Sequence, residues 1–274
     1  VYAVDPKLLA RLAPKIRRVL ILDGQPASAR VLGELMRALG SSEVVVQHDD
    51  QIALEVARDF APDLVFVESA GPRIDGAGFT GRLRRSHLAC RKVPVIVVAS
   101  EATAASIKAA RDAGVHEFLK KPFNATDLLK RVEAVALKPR DWVEAVGYVG
   151  PDRRRFNSGD YDGPLKRESD HPKTEGESRA RRLDQAFRIL KSALLQFDSD
   201  PPQAIRAMRE QAREMGELSV ELGMPKLAQA AALLEAALKH PSADKATLRP
   251  AVAGIVALFE PNTPVEATQT AAAA

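Results

Sequence analysis

Five short runs of β-branched and other apolar residues alternate with stretches of helical periodicity through the first half of this chain. That alternation narrows the fold more than any other feature. The runs lie at 19–22 (VLIL), 44–46 (VVV), 64–67 (LVFV), 93–98 (VPVIVV) and 117–119 (EFL). Between the first two, Pro26 to Leu39 places Ala29, Leu32, Leu35, Met36 and Leu39 on one helical face. Similar patterns cover 52–60, 79–85, 104–113 and 126–137, and a short amphipathic lead runs from Asp5 to Lys15. Asn124 with Asp127 three residues on is close to a capping box. Strands this apolar are covered on both faces. The expected fold is therefore α/β, a doubly wound five-stranded parallel sheet over residues 17–137 behind a lead at 1–16. In such sheets ligand chemistry gathers at the carboxyl ends of the strands.

The residues at those ends are Asp23, Pro62 and Asp63 leading into 64–68, Pro72, Asp75 and Gly76, Pro94, and the Lys121, Pro122, Phe123 triplet. Together they resemble a bacterial receiver domain of the CheY-like response-regulator family, which has a flavodoxin-like fold. The resemblance implies an acidic pair after the first strand and an Asp after the third that hold magnesium. It also implies that the third-strand Asp accepts a phosphoryl group, that a Thr or Ser after the fourth strand senses it, and that a Lys pairs with it. Here Asp23 is followed by Gly24, Glu68 holds the acceptor position, Ala99 the hydroxyl position, and Lys121 is kept. Magnesium asks for near-octahedral oxygen ligation and phosphoryl transfer for an in-line nucleophile. The missing and the lengthened carboxylate argue against both, so the expectation is a degenerate phosphoacceptor pocket without metal. Glu68 then reads either as a permanent phosphate mimic or as an acid kept to pair a buried lysine.

Residues 138–172 differ in kind. Three of the chain's four Trp and Tyr residues, Trp142, Tyr148 and Tyr161, fall here, although aromatics make up only 5% of the whole. The run 148–154 (YVGPDRR) recurs thirteen residues later as 161–167 (YDGPLKR). So many turn formers and charges read as a disordered arm outside any packed core. Yet rings alternating with arginines suit a flat, anionic ligand, because guanidinium forks bridge guanine O6 and N7 while rings stack on bases. Arg153, Arg154 and Arg155 supply three forks, Trp142 with Tyr148 or Tyr161 can close a base stack, and Asp152 and Asp160 can accept from guanine N1 and N2. A solvated basic linker and a single-stranded nucleic-acid contact remain alternatives.

Arg140, Trp142, the run 148–156, Asn157, Ser158, Asp160, Tyr161 and the stretch 163–167 ending at Arg167 resemble the extension that follows the receiver in the Cle group. These are CheY-like proteins that bind cyclic di-GMP. The resemblance implies that the segment wraps an intercalated pair of cyclic di-GMP molecules, folding as it binds. Five contacts of ~1–3 kcal/mol each, set against ~2–5 kcal/mol of ordering, bracket ~μM affinity.

From 173 to 260 the composition turns Ala-, Leu- and Glu-rich. Leu183, Phe187, Leu190, Leu194 and Phe197 form one stripe, and Ile205, Met208, Ala212, Met215, Leu218 and Leu222 a second. Leu227, Ala231, Leu234 and Leu238 form a third, and Leu248, Val252, Ile255 and Phe259 a fourth. Four amphipathic helices with short connections predict a bundle, with Pro250 early in the last helix and a disordered tail at 261–274. The bundle is weakly similar to histidine phosphotransfer domains, but Arg213 stands where their acceptor histidine would fall. A net charge of +4 concentrated in arginine runs favours a small polyanion over wrapping long nucleic acid. The lone Cys90 fits a reducing cytoplasm, and no apolar run reaches membrane-span length. The expectation is a non-enzymatic cyclic di-GMP effector whose bundle or receiver face docks a protein partner. The alternative is a phosphorelay or adaptor protein of two-component signalling with no small-molecule ligand.

Overall fold

The structure is a computed structural model that describes residues 5–153, 174–240 and 243–259. Five strands form one parallel sheet: β1 (Arg18–Leu22), β2 (Glu43–Gln47), β3 (Leu64–Glu68), β6 (Val95–Ala99) and β7 (Glu117–Lys120). Their order is β2-β1-β3-β6-β7. A short hairpin, β4 (Ala70–Gly71) and β5 (Ile74–Asp75), follows β3. The helices α2 (Pro26–Ala38), α3 (Asp50–Phe60), α4 (Gly76–Arg85), α5 (Ala104–Asp112) and α6 (Ala125–Leu137) join the strands, and α1 (Pro6–Leu12) precedes them. The expected α/β sheet is observed, with each predicted run forming a strand.

Alternation along each strand makes two cores. Val19 and Ile21 of β1, Phe66 of β3 and Ile96 and Val98 of β6 pack with Leu32 and Met36 of α2 and Leu128 and Val132 of α6. Leu20, Leu22, Val65, Val67, Val95 and Val97 point the other way, onto Ala53 of α3 and Phe79 and Leu83 of α4. The amphipathic lead joins the first core through Leu12 and Ile16, both almost fully buried. Because β1 has β2 on one side and β3 on the other, the strand order reverses there. The crevice at the carboxyl ends of β1 and β3 is the topological switch point. Asp23 and Glu68 lie at its two lips.

Four helices form the bundle: α7 (Glu175–Leu195), α8 (Pro201–Glu221), α9 (Pro225–Lys239) and α10 (Lys245–Phe259). The stripes supply its core, with Leu190, Met208, Met215, Leu234 and Ile255 fully buried. Thr174 and Asp200 cap α7 and α8 through the Glu177 and Gln203 amides, and Gly223, at φ +64°, turns the chain from α8 into α9.

The structure departs from the sequence reading between Arg140 and Arg153. The segment from 138 reads as lying outside a packed core, but its first part is folded: β8 (Trp142–Glu144) pairs with β9 (Val149–Pro151). Tyr148 and Val149 are buried, and the Asp152 amide donates to the Asp141 carbonyl. The reason is tertiary. Local composition here favours a loop, and partners distant in sequence supply the burial. Residues 140–143 and 148–153 belong to the compact unit built on the sheet, while 144–147 belong with the bundle. There Val146 enters the core, and Gln203 and Gln211 donate to the Ala145 and Glu144 carbonyls.

Candidate functional site

The pocket at the switch point is closed by its own side chains. Asp23, 2% exposed, follows β1, and its Oδ1 accepts from the Gln25 amide at 2.8 Å. Its Oδ2 accepts from Ser28 Oγ at 2.7 Å and from Lys121 Nζ at 3.0 Å. Glu68 ends β3, with Oε1 3.3 Å from Lys121 Nζ and Oε2 accepting from the Gly24 amide at 2.9 Å. Lys121 sits just past β7, its amide held by the Ala99 carbonyl at 2.7 Å. Sequence reasoning named Asp23, Gly24, Glu68, Ala99 and Lys121, and the fold brings all five together. It missed Ser28, in the first turn of α2.

This donor set does not fit magnesium. Every carboxylate oxygen of Asp23 and Glu68 already accepts a hydrogen bond from the protein, and a neutral glycine stands beside Asp23. The extra methylene of Glu68 carries its carboxylate across the crevice, where Oε2 would lie 3.2 Å from a side chain added at Gly24. Among the described residues no group of three His, Cys, Asp or Glu side chains could hold a metal ion.

At the amino-terminal edge of β7 the arginine-rich segment begins. Glu117, fully buried, receives Arg131 of α6 at 3.2 Å on Oε2 and Arg140 on Oε1. The Arg140 side chain is only 3% exposed. Trp142 is half-buried, with the Arg84, Lys92 and Arg91 cations 5.4, 5.6 and 6.0 Å from its ring centroid. Arg84 is itself buried. It donates to the carbonyls of Gly114 (2.9 Å), Arg91 (2.7 Å) and Val93 (2.9 Å), and burial pulls its pKa down to about 9. His116 Nδ1 accepts from the Val95 amide and lies 3.3 Å from Arg84 Nη2. Burial first, then Arg84 and Arg140, holds the imidazole well below its ordinary pKa.

Gly114 is what admits the hairpin. Its φ is +89°, and a Cβ there would stand 2.5 Å from the Val149 carbonyl oxygen. Tyr148 donates its hydroxyl to the Pro151 carbonyl at 2.6 Å, and burial pushes its pKa up to about 12, against the pull of Arg153. Arg153 lies over that ring at 3.8 Å and pairs with Asp112 at 2.9 Å, while Lys108 on the same carboxylate does most to lower the Asp112 pKa.

Of the proposed ligand contacts, Arg140, Trp142, Tyr148, Asp152 and Arg153 are thus placed, the first three packed into the fold. Arg154, Arg155, Asn157, Ser158, Asp160, Tyr161 and Arg167 lie outside the described residues. Sequence reasoning missed Arg84, Asp112, His116, Glu117 and Arg131. One signal was available: an acid, Glu117, opening a short strand directly before the apolar pair Phe118 and Leu119. In the bundle, Arg213 is half-exposed and paired with Glu210 and Glu217.

Comparison with known proteins agrees with this geometry. The model of the response regulator receiver domain matches residues 19–133. The transcriptional regulatory protein PdtaR of Mycobacterium tuberculosis is 31% identical over 142 residues, covering 52% of this chain and 67% of that protein. The response regulator MprA of Mycobacterium avium is 29% identical over 137 residues, 49% of this chain and 58% of that one. A solved response regulator from Chloroflexus aurantiacus is 24% identical, covering 45% of this chain and 99% of that one with a TM-score of 0.42. The bundle lies outside the family match. The sheet order, the Asp23–Lys121 pair at the switch point and the matches to the family and to PdtaR together place the chain in the response-regulator family of two-component signalling, through a receiver domain at its amino-terminal end.

Proposed function

We propose that this protein is a non-enzymatic effector whose receiver works without phosphoryl transfer and whose arginine-rich segment binds cyclic di-GMP. The helical bundle docks a protein partner. The observation that carries the first part is the closed pocket, in which Glu68 bonds Lys121 and the Gly24 amide where an acceptor would need free carboxylate oxygens.

Support for the ligand comes from the segment's chemistry. Arg153, first of the arginine triplet, is stacked on Tyr148 at the end of an anchored strand. A guanidinium held over a ring and, through Nη1, on Asp112 is fixed in direction, and its remaining N–H groups suit hydrogen bonds to guanine. The remaining forks and the second ring follow within fourteen residues, at Arg154, Arg155, Tyr161 and Arg167.

Calorimetry on the full chain tests this. Wild type is expected to bind cyclic di-GMP saturably at ~μM, the affinity five such contacts give. The Arg154→Ala, Arg155→Ala double variant is expected to lose most of that binding. Equal affinity in the two proteins, or no binding by wild type, overturns the proposal. Affinity for single-stranded nucleic acid that grows with length and collapses with salt would instead assign the segment to nucleic acid.

A further inference from the structure

We infer that Glu117 is the positioning residue of the arginine-rich segment: through Arg140 it latches residues 140–143 and 148–153 onto the sheet of the receiver unit. A ligand of that segment then meets a root already in place. The latch stands on the geometry alone, while its effect on affinity rests on the cyclic di-GMP reading.

Glu117 opens β7 with no exposure to solvent, and each of its two oxygens faces a guanidinium group from further along the chain. Arg131 comes from α6, part of the receiver fold proper. Arg140 comes from beyond it. Its side chain is too deeply buried to reach a ligand while it holds Glu117. Buried charges of this kind are stable in company and very unfavourable apart, so Arg140 enters this buried site only with Glu117 there to receive it, and docking of the root goes with that second pairing.

The neighbouring packing points the same way. Gly114 and Gly150 let the two backbones approach so closely that a Cβ at Gly150 would stand 2.7 Å from the Gly114 Cα. Trp142 rests against the Arg84 guanidinium, which backbone carbonyls hold in turn. A root fixed in this way spares a ligand the entropy of ordering residues 140–143 and 148–153, and that saving appears as affinity.

Trp142 is the chain's one tryptophan, so its fluorescence reports the root without labelling. Full-length wild type is compared with Glu117→Gln, Arg140→Gln and the charge-keeping Arg140→Lys. Both neutral variants are expected to shift Trp142 emission to the red, raise its quenching by acrylamide, and weaken cyclic di-GMP binding at least tenfold. Arg140→Lys should recover part of each. Arg140→Gln leaves the Glu117–Arg131 pair in place, so it stays informative where Glu117→Gln unfolds. Unchanged emission in Arg140→Gln overturns the latch, and shifted emission with unchanged affinity overturns the positioning role. Should wild type bind no cyclic di-GMP, the functional reading falls by itself, and the Trp142 response still decides the latch.

Discussion

Lys121 stands between two buried carboxylates, and its worth lies in what its removal would leave behind. With a neutral side chain there, Asp23 would keep Ser28 and the Gln25 amide and Glu68 the Gly24 amide, but two like charges would face each other unshielded. Lys121→Met is expected to destabilise the receiver by ~3–5 kcal/mol, the scale for stranding a buried charge, read from urea unfolding at neutral pH. A loss below about 1 kcal/mol would mean that solvent already reaches the pair. His116 offers a second test, through pH. Its folded-state pKa is depressed by burial, so on acidification the unfolded chain takes up a proton near pH 6.5 that the folded chain refuses. Unfolding therefore gains protons, and stability falls as pH drops below ~6.5, by up to ~1.4 kcal/mol per unit. The stabilising contribution is fully present above that value. His116→Gln should flatten the slope between pH 7 and pH 5 in the same unfolding measurement.

At the scale of elements, much of this protein is written locally and one part is not. Val19 to Leu22, Leu64 to Val67 and Val95 to Val98 announce buried strands by themselves, because a run apolar on both faces has few other homes. Asn124 with Asp127 forms a reciprocal capping box at the start of α6, as its spacing implies. Asp23, Gly24, Glu68, Ala99 and Lys121 each end or follow a strand, and the receiver resemblance gave them their roles, whereas Ser28, inside α2, bore no such mark. The β8–β9 hairpin was not legible locally. Trp142, Tyr148 and Gly150 look like loop residues because their burial depends on Arg84, Gly114 and Glu117, more than twenty residues away in sequence. Arg84 in turn carries no local mark that separates it from Arg82 and Arg85. It is buried because three carbonyls from two places in the chain, Arg91 with Val93 and Gly114, converge on it. Gly114→Ala therefore tests the element. At φ +89° and 2.5 Å from the Val149 oxygen, the added methyl strains the backbone and pushes β9 away. The expected cost is ~1–3 kcal/mol, with faster hydrogen exchange confined to residues 142–151 and their immediate partners. Uniform loss of protection across the sheet would instead make Gly114 a determinant of the receiver core.

For the molecule as a whole, the question is whether receiver and arginine-rich segment communicate through phosphate. The pocket lies at the carboxyl ends of β1 and β3, and the segment begins at the opposite, amino-terminal edge of β7. A switch between them would need the pocket to have two states. Glu68 is tied to Lys121 and the Gly24 amide, and Ala99 has no hydroxyl to follow a phosphoryl group, so on the proposed function the pocket holds one. Full-length protein treated with acetyl phosphate and magnesium is expected to show no mass increase and no change in cyclic di-GMP affinity. A triple variant carrying Gly24→Asp, Glu68→Asp and Ala99→Thr tests the cause. Shortening Glu68 opens the 3.2 Å contact above Gly24, the carboxylate introduced beside Asp23 would complete an acidic pair, and magnesium would gain oxygens no longer bonded to protein. That triple variant should bind magnesium and accept phosphate. Gly24→Asp alone should not, because it crowds a third carboxylate against Glu68. Uptake of phosphate by the unaltered chain would show that Glu68 leaves Lys121 readily, and the receiver would then rank as a working switch rather than a scaffold.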